Sequence, residues 1–241
     1  MANIALLTAA GSGTRMGQDI PKQFMTIDDC PVIIYTMIPF QEHPKIDAIA
    51  VVCLDGWEKT LKAYASQFGI TKLQYIFPGG DSNQGSIHNG LIGLKNIGCS
   101  NDDIILIQDG VRPLVSEDII SNNIKVAQQY GYAITGLKCK EVIMEFRPED
   151  ETLDYMPIPR ERLVRTQTPH TYKLGIILDI HKKAEEQGLD MAASCELSAK
   201  VGVEDQHLVL GNEKNGLKLT NVEDIELFKA LKHVSKYSWL K

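Results

Sequence analysis

Short aliphatic and β-branched runs alternate along this chain with segments of helical apolar spacing, and that alternation leaves few architectures open. The runs are Ile4–Thr8, Ala48–Leu54, Leu73–Phe77, Ile104–Gln108, Ala133–Leu137 and His207–Leu210. Helical patterns fall at Pro31–Gln41, Trp57–Phe68, Gln84–Lys95, Glu117–Tyr130, Leu174–Gln187 and Asn221–Val234. Strand and helix in turn imply crossover connections. The expected fold is therefore α/β, a Rossmann-like, mostly parallel sheet flanked by helices. The 241 residues with 44% hydrophobic content can bury a core of that kind, and the chain reads as one domain over 1–241. Thr220 or Asn221 can cap the last helix, with Glu223 and Asp224 in its first turn, where the dipole favours negative charge.

One stretch breaks the rhythm. Residues 138 to 163 have strand-like pieces around a charged turn at Pro148–Glu151, the pattern of a protruding β-arm. Such an arm leaves Ile143, Met144, Phe146, Tyr155, Met156 and Ile158 in water unless something covers them, so a homodimer through the arm is expected. A hairpin lying back on its own domain is the alternative.

Bulk properties narrow the function. A net charge of −6 argues against nucleic acid or an anionic membrane as partner. No apolar run reaches the roughly 18 residues needed to span a bilayer. The start, MANIALLTAAGSG, lacks a basic segment and reads as a strand rather than a signal peptide. Cys30, Cys53, Cys99, Cys139 and Cys195 are scattered and odd in number, which points away from a disulfide framework and towards the cytoplasm.

Three loops sit at carboxyl ends of expected strands, where open α/β sheets bind ligands. In AAGSGTRMGQDIPKQ, Gly11, Gly13 and Gly17 allow close backbone approach and leave N–H groups for an anion. Arg15 and Lys22 add two positive charges. A dinucleotide turn is the rival, but its ribose-binding acid is expected about twenty residues on, and Asp55 lies some forty residues away. In FPGGDSNQGSIHNGL, Gly79 and Gly80 permit a tight turn, Ser82 fits an N-cap and Ser86 offers a hydroxyl. In ILIQDGVRP, Asp109 ends a buried strand as a metal or ribose ligand. It could equally form a salt bridge with Arg112 across the turn.

Together the loops resemble those of the cytidylyltransferases that activate polyol phosphates, a family acting on 2-C-methyl-D-erythritol 4-phosphate or ribitol 5-phosphate. AAGSGTRMG with PKQF resembles the family's opening motif, GGD with its following serine the cytidine loop, and DGVRP the central DxxRP. RTQTPHTY and GLKLTNVEDIEL resemble two later segments. The resemblance implies the nucleotide-diphospho-sugar transferase type of fold, CTP as substrate and Mg²⁺ as cofactor. It gives Arg15, Lys22 and Lys218 to the CTP phosphates as catalytic cations. Ala9, Ala10, Gly11, Gly13, Gly80, Asp81, Ser86 and Asp109 would bind the nucleotide, with Asp109 also near the metal. Arg112 and Arg160 would bind the acceptor, Arg160 in some relatives across a dimer. An acceptor phosphate oxygen would attack the α-phosphorus of CTP and expel pyrophosphate. That nucleophile is already an anion, so the site needs positioning and positive charge rather than a general base.

The departures from the family pattern cluster on the acceptor side. Asn83 stands where relatives carry an arginine, Gln108 where they carry histidine, and Glu141–Val142 in place of an Asp-Thr pair. DMAASCEL replaces the TDxAS or TDAC segment, so that Met191, Ala192 and Ala193 remove hydrogen-bonding groups and leave Asp190, Ser194 and Cys195 as the nearest polar residues. The expectation is the same reaction on a phosphorylated polyol or sugar other than methylerythritol phosphate. The alternatives are a 2-C-methyl-D-erythritol 4-phosphate cytidylyltransferase of isoprenoid synthesis or a ribitol 5-phosphate cytidylyltransferase, a non-catalytic nucleotide-binding homologue, and an NAD(P)-dependent oxidoreductase.

Overall fold

The computed structural model of the chain describes residues 1–11, 20–153 and 158–234. In chain order its elements are β1 (Asn3–Ala9), β2 (Thr26–Ile27), β3 (Cys30–Pro31), α1 (Val32–Glu42), β4 (Ala48–Cys53), α2 (Glu58–Gln67) and β5 (Leu73–Pro78). There follow α3 (Asn83–Asn96), β6 (Ile104–Asp109), α4 (Glu117–Tyr130), β7 (Tyr132–Lys138), β8 (Phe146–Arg147) and β9 (Thr152–Leu153). The last are β10 (Val164–Lys173), α5 (Leu174–Glu186), α6 (Ser194–Lys200), β11 (Leu208–Leu210), α7 (Glu213–Gly216) and α8 (Val222–Val234). Every strand and helix expected from the apolar patterns is present, with ends shifted by a residue or two.

Seven strands form the sheet, in the order β11-β7-β10-β6-β1-β4-β5. The β1, β4, β5 and β6 strands pair in parallel, and β11 is parallel to β7. Among the seven strands of this sheet, β10 alone runs against both its neighbours, β6 and β7. Successive side chains of a strand point to opposite faces, so each apolar run feeds two cores. Leu7, Val51 and Leu106 pack under α1 with Ile33 and Phe40. Leu6, Val52 and Ile105 face the other way, against Leu91 of α3 and Ile177 of α5.

The apolar patterns do not reveal β10, and its composition explains why. Gln167, His170 and Thr171 are buried in it. Part of that polarity is satisfied internally: Thr171 Oγ1 donates to Asn123 Oδ1 (3.1 Å) and Asn123 Nδ2 donates to Thr135 Oγ1 (2.8 Å). Pro169 sits where the β7 register shifts, the tolerated place for proline in a sheet. The helix ends follow the sequence more closely. Asn221 Oδ1 accepts from Asp224 N, while the Asp224 carboxylate accepts from Thr220 N, a reciprocal cap on α8.

The arm is present as expected. β8 pairs with β9, and Ile143 bridges Ile158 below them. Val142, Phe146 and Leu153 are all more than half exposed, so this hairpin does not lie back on its own sheet. Tyr155 and Met156 fall outside the described residues.

His181 of α5 is buried against His88, ring centroids 5.4 Å apart. Burial pushes its pKa down to about 4 from an ordinary 6.5, and the His88 charge adds to this. The unfolded chain therefore binds more protons than the folded one between those values, and stability must fall as pH drops from about 6.5 towards 4. Thermal melts at pH 7 and pH 5 should show a loss of Tm that is smaller in His181→Leu than in the wild type. Equal losses would remove His181 as a cause.

Candidate functional site

From β1 the chain moves outward through β4 to β5, then returns to place β6 on the other side of β1. That reversal opens a crevice at the carboxyl ends of β1 and β6. Ala9, Ala10 and Gly11 leave β1 there. Gln23, 1% exposed, donates from Nε2 to the carbonyls of both Ala9 and Gly11, each at 2.8 Å. A buried amide thus fixes the start of the first loop. Gly13, Gly17 and Arg15 lie outside the described residues.

Lys22 is held by the same short turn. Lys22–Phe24 form one turn of 3-10 helix, and Phe24 is buried with its ring stacked on Trp57 at 4.6 Å. With Gln23 and Phe24 anchored inward, Lys22 remains on the crevice wall. It also lies in the field of Asp224, whose carboxyl is held below its ordinary range. Partial burial opposes that lowering; hydrogen bonds from Thr220 and Asn221 and the Lys22 charge prevail.

The second loop is shaped by what glycine permits. A Cβ on Gly80 would stand 2.6 Å from the Gly85 carbonyl carbon and 2.8 Å from Ser86 N. Ser82 caps α3 as expected, its Oγ accepting from Gly85 N at 3.0 Å. Ser86 Oγ is turned inward and accepts from Gly80 N at 3.0 Å, so this hydroxyl closes the loop on itself. Asp81 sits on the outer wall.

The third group is an ion triplet in which Asp109 and Arg112 are largely buried and Lys218 stays open to solvent. Asp109 Oδ2 accepts from Arg112 Nε at 2.8 Å and meets Lys218 Nζ at 3.1 Å. Burial alone would raise the Asp109 pKa, but the Lys218 and Arg112 charges outweigh it and hold the carboxyl below its ordinary range. Arg112 also donates to the Gly216 carbonyl. Lys218 is aimed by alternation: Leu217 and Leu219 on either side are buried with Phe228, which turns the residue between them the opposite way. The salt bridge across the DGVR turn is therefore real and sits inside the crevice.

Two cavities share Asp109 and Lys218 of this triplet. The larger, of about 420 Å³, brings together Ala9, Gly11, Lys22, Gly80, Ser86 and Lys218. The smaller, of about 200 Å³, is lined by Arg112, Thr166, Thr168, His170 and Ser194. Asp109, Lys218, Thr8 and Asn83 belong to both. Residues from all three loops thus converge, as expected. Arg160 does not join them; neither cavity includes it, and it donates from Nη1 to Lys140 O at the base of the arm.

Sequence reasoning missed Gln23, Thr168 and His170. Gln23 sits inside the quoted PKQF motif and Thr168 and His170 inside RTQTPHTY, so the signal was the motif itself. Two of the departures turn out to meet: Asn83 Nδ2 donates to Ala192 O at 2.9 Å. Gln84 adds bonds to Leu189 O and Met191 N, tying the second loop to the segment before α6.

The sequence profile of the IspD family, 2-C-methyl-D-erythritol 4-phosphate cytidylyltransferase, matches residues 3–232. The chain belongs to the polyol-phosphate cytidylyltransferases. A ribitol-5-phosphate cytidylyltransferase of Lacticaseibacillus paracasei is 40% identical to it over 94% of this chain and 96% of that one. One of Vibrio parahaemolyticus is 38% identical over 95% of each chain. A 2-C-methyl-D-erythritol 4-phosphate cytidylyltransferase of Clostridium botulinum is 33% identical over 93% of this chain and 95% of its own. In fold, this cytidylyltransferase is similar to the 4-diphosphocytidyl-2C-methyl-D-erythritol synthase of Anaerococcus prevotii, with a TM-score of 0.80 at 21% identity over 96% of both chains. The family's donor is CTP, and the chain is a CTP-dependent enzyme of this class.

The second loop of the cytidylyltransferase offers a direct test. Gly80→Ala drives a Cβ into the loop backbone at 2.6 Å, and relief requires the turn to open. The variant should fold with a normal far-UV spectrum while its KM for CTP rises about tenfold or more. An unchanged KM for CTP would mean that the loop does not touch the nucleotide.

Proposed function

We propose that this cytidylyltransferase transfers CMP from CTP to ribitol 5-phosphate, releasing pyrophosphate and forming CDP-ribitol. The wall that Asp109 and Lys218 give to both cavities carries the reading. The nucleotide would occupy the larger cavity, against the Gly80–Ser86 loop. The acceptor would occupy the smaller one, with its phosphate at the shared wall. An acceptor phosphate oxygen then forms a bond to the α-phosphorus, the α–β bridging P–O bond breaks, and pyrophosphate leaves with the electron pair. Lys22, Lys218 and, from the sequence, Arg15 supply positive charge where negative charge gathers. Asp109 fixes the direction of Lys218 and Arg112.

Among the described residues no three His, Cys, Asp or Glu side chains are arranged to hold a metal. Mg²⁺ is usually held by one or two carboxylates together with substrate phosphates. Asp109 would provide the carboxylate, and the ion would neutralise triphosphate charge.

The names of the relatives support this choice of acceptor. Those named for ribitol 5-phosphate reach 40% and 38% identity, against 33% for the Clostridium botulinum relative named for methylerythritol phosphate. Exposed Val142, Phe146 and Leu153 support a homodimer through the arm, in which Arg160 would reach the partner's acceptor phosphate. The cytoplasm is the proposed location.

Pyrophosphate release from CTP, measured across a panel of polyol phosphates, should give the highest kcat/KM with ribitol 5-phosphate and a much lower one with 2-C-methyl-D-erythritol 4-phosphate. The reverse order would sink the acceptor assignment. Lys22→Ala and Lys218→Ala should each lower kcat on the order of 10²–10³-fold, Lys22→Ala with little loss of stability and Lys218→Ala with a lower Tm, because Asp109 then keeps only Arg112 as its partner. Near wild-type turnover in either would contradict its role. The arm has its own test: Arg160→Lys should raise the acceptor KM and leave that for CTP unchanged, in a protein that sediments as a dimer. A fully active monomer would refute the shared site.

A further inference from the structure

Lys22 and Lys218 line one cavity but enter it from opposite ends of the chain. Helix α8 joins the two segments that carry them. Its Phe228 is buried with Leu217 and Leu219, which flank Lys218, and with Ile27 of β2, the strand that follows the Lys22 turn. Near the end of α8, Lys232 completes the link. Its Nζ donates to Asp28 Oδ2 at 3.2 Å and to the Tyr35 hydroxyl at 2.6 Å, and lies 4.6 Å from the centre of the Tyr35 ring. Tyr35 donates in turn to Ile27 O at 2.9 Å. One lysine thus holds the β2–β3 hairpin at its turn and, through a phenol, at β2.

The hairpin needs such a hold. β2 and β3 have two residues each, and a two-stranded ribbon of that size is not stable unsupported. Asp28 and Asp29, which join them, have φ of 49° and 63°, a left-handed backbone that aspartate tolerates better than most residues. Lys22 depends on this hairpin directly. Its carbonyl accepts from Met25 N, and Met25 O accepts from Val32 N, so the Lys22 turn runs without slack into β2 and β3. The helix also faces Lys22 at its first turn, where Lys22 lies in the field of Asp224. Stability alone is a poor reason for the Lys232 contact. The side chains of Lys232 and Asp28 are 28% and 48% exposed, and an ion pair so open to water contributes little. Its effect lies in what it joins.

Given the catalytic part assigned above to Lys22 and Lys218, on which this reading rests, we infer that Lys232 is a positioning residue. Acting with Asp28 and Tyr35, it sets Lys22 against Lys218 across the nucleotide cavity. Neither cavity of the crevice includes Lys232, so it acts through the hairpin and α8 alone. Two cations that must meet one phosphoryl centre together lose rate when either is displaced, even where the substrates still bind.

Full-length Lys232→Met keeps much of the aliphatic stem and loses the ammonium. With CTP and the best acceptor of the polyol phosphate panel, its kcat should fall about tenfold, both KM values staying within about twofold of wild type. Lys232→Arg can reach Asp28 and Tyr35 and should recover most of the loss. Tyr35→Phe should lower kcat as Lys232→Met does, and it carries the same comparisons should Lys232→Met fail to fold. The decisive measurement adds Lys22→Ala. A lysine that has been removed cannot be positioned, so in that background Lys232→Met should cost no more than about twofold. Equal losses with and without Lys22 would overturn the inference, as would a lower Tm with kcat unchanged. A slow Lys22→Ala beside an unimpaired Lys232→Met would overturn the positioning role alone. Near wild-type turnover in Lys22→Ala itself would overturn the catalytic reading and the positioning role together.

Discussion

The cations at the end of β6 are arranged around one largely buried carboxylate. Asp109 holds two cations that come from distant parts of the sequence, Arg112 from the turn just after β6 and Lys218 from the segment before α8. A carboxylate in that position would be costly alone, and a lone cation beside it equally so; together they make burial tolerable. The pairing is not chiefly a source of stability. It joins the C-terminal segment to the end of β6, so that Leu217 and Leu219 settle into their own apolar cluster with Lys218 facing the crevice between them.

The sheet contributes its rigidity at the same place. Gln23 bonds the exit of β1, and Gly110 lets its own backbone pass against Thr8, with N–H to carbonyl at 2.9 Å. A Cβ at Gly110 would lie 2.6 Å from that carbonyl oxygen. The two central strands therefore end at a fixed separation. Loops that differ in length and chemistry are carried on strand ends joined by that bond.

Much of this could be read in the chain itself, for a physical reason. Runs such as IALL, AIAVVC and IILIQ are buried on both faces, so their hydrophobicity is continuous and their number sets the fold class. Gly80, Asp109 and Lys218 were visible because each lies in a motif whose residue types have few other uses. What escaped was polar and buried. The β10 strand hid because RTQTPHTYK lacks an apolar period, its inward groups being met by Asn123 and Thr135 rather than by aliphatic neighbours. Gln23 hid because its work is done through two carbonyls that no sequence pattern displays. The bond that Ser86 Oγ accepts from Gly80 N hid for a similar reason, since no sequence pattern displays a contact to the backbone.

The antiparallel strand at the middle of the sheet has a consequence for how the protein is made. On emerging from a ribosome, β1, β4, β5 and β6 find one another in order, but β7 pairs only with β10 and β11, both of which lie beyond the arm. Until residue 173 is available, Ile134 and Ala133 belong to a strand with neither neighbour, and β6 presents a long apolar edge where β10 will insert. Such edges are where nascent chains aggregate. The arm is therefore a delay as well as a protrusion: some twenty-five residues of synthesis, at about 5–20 residues per second, separate the strand that waits from the strand that completes it.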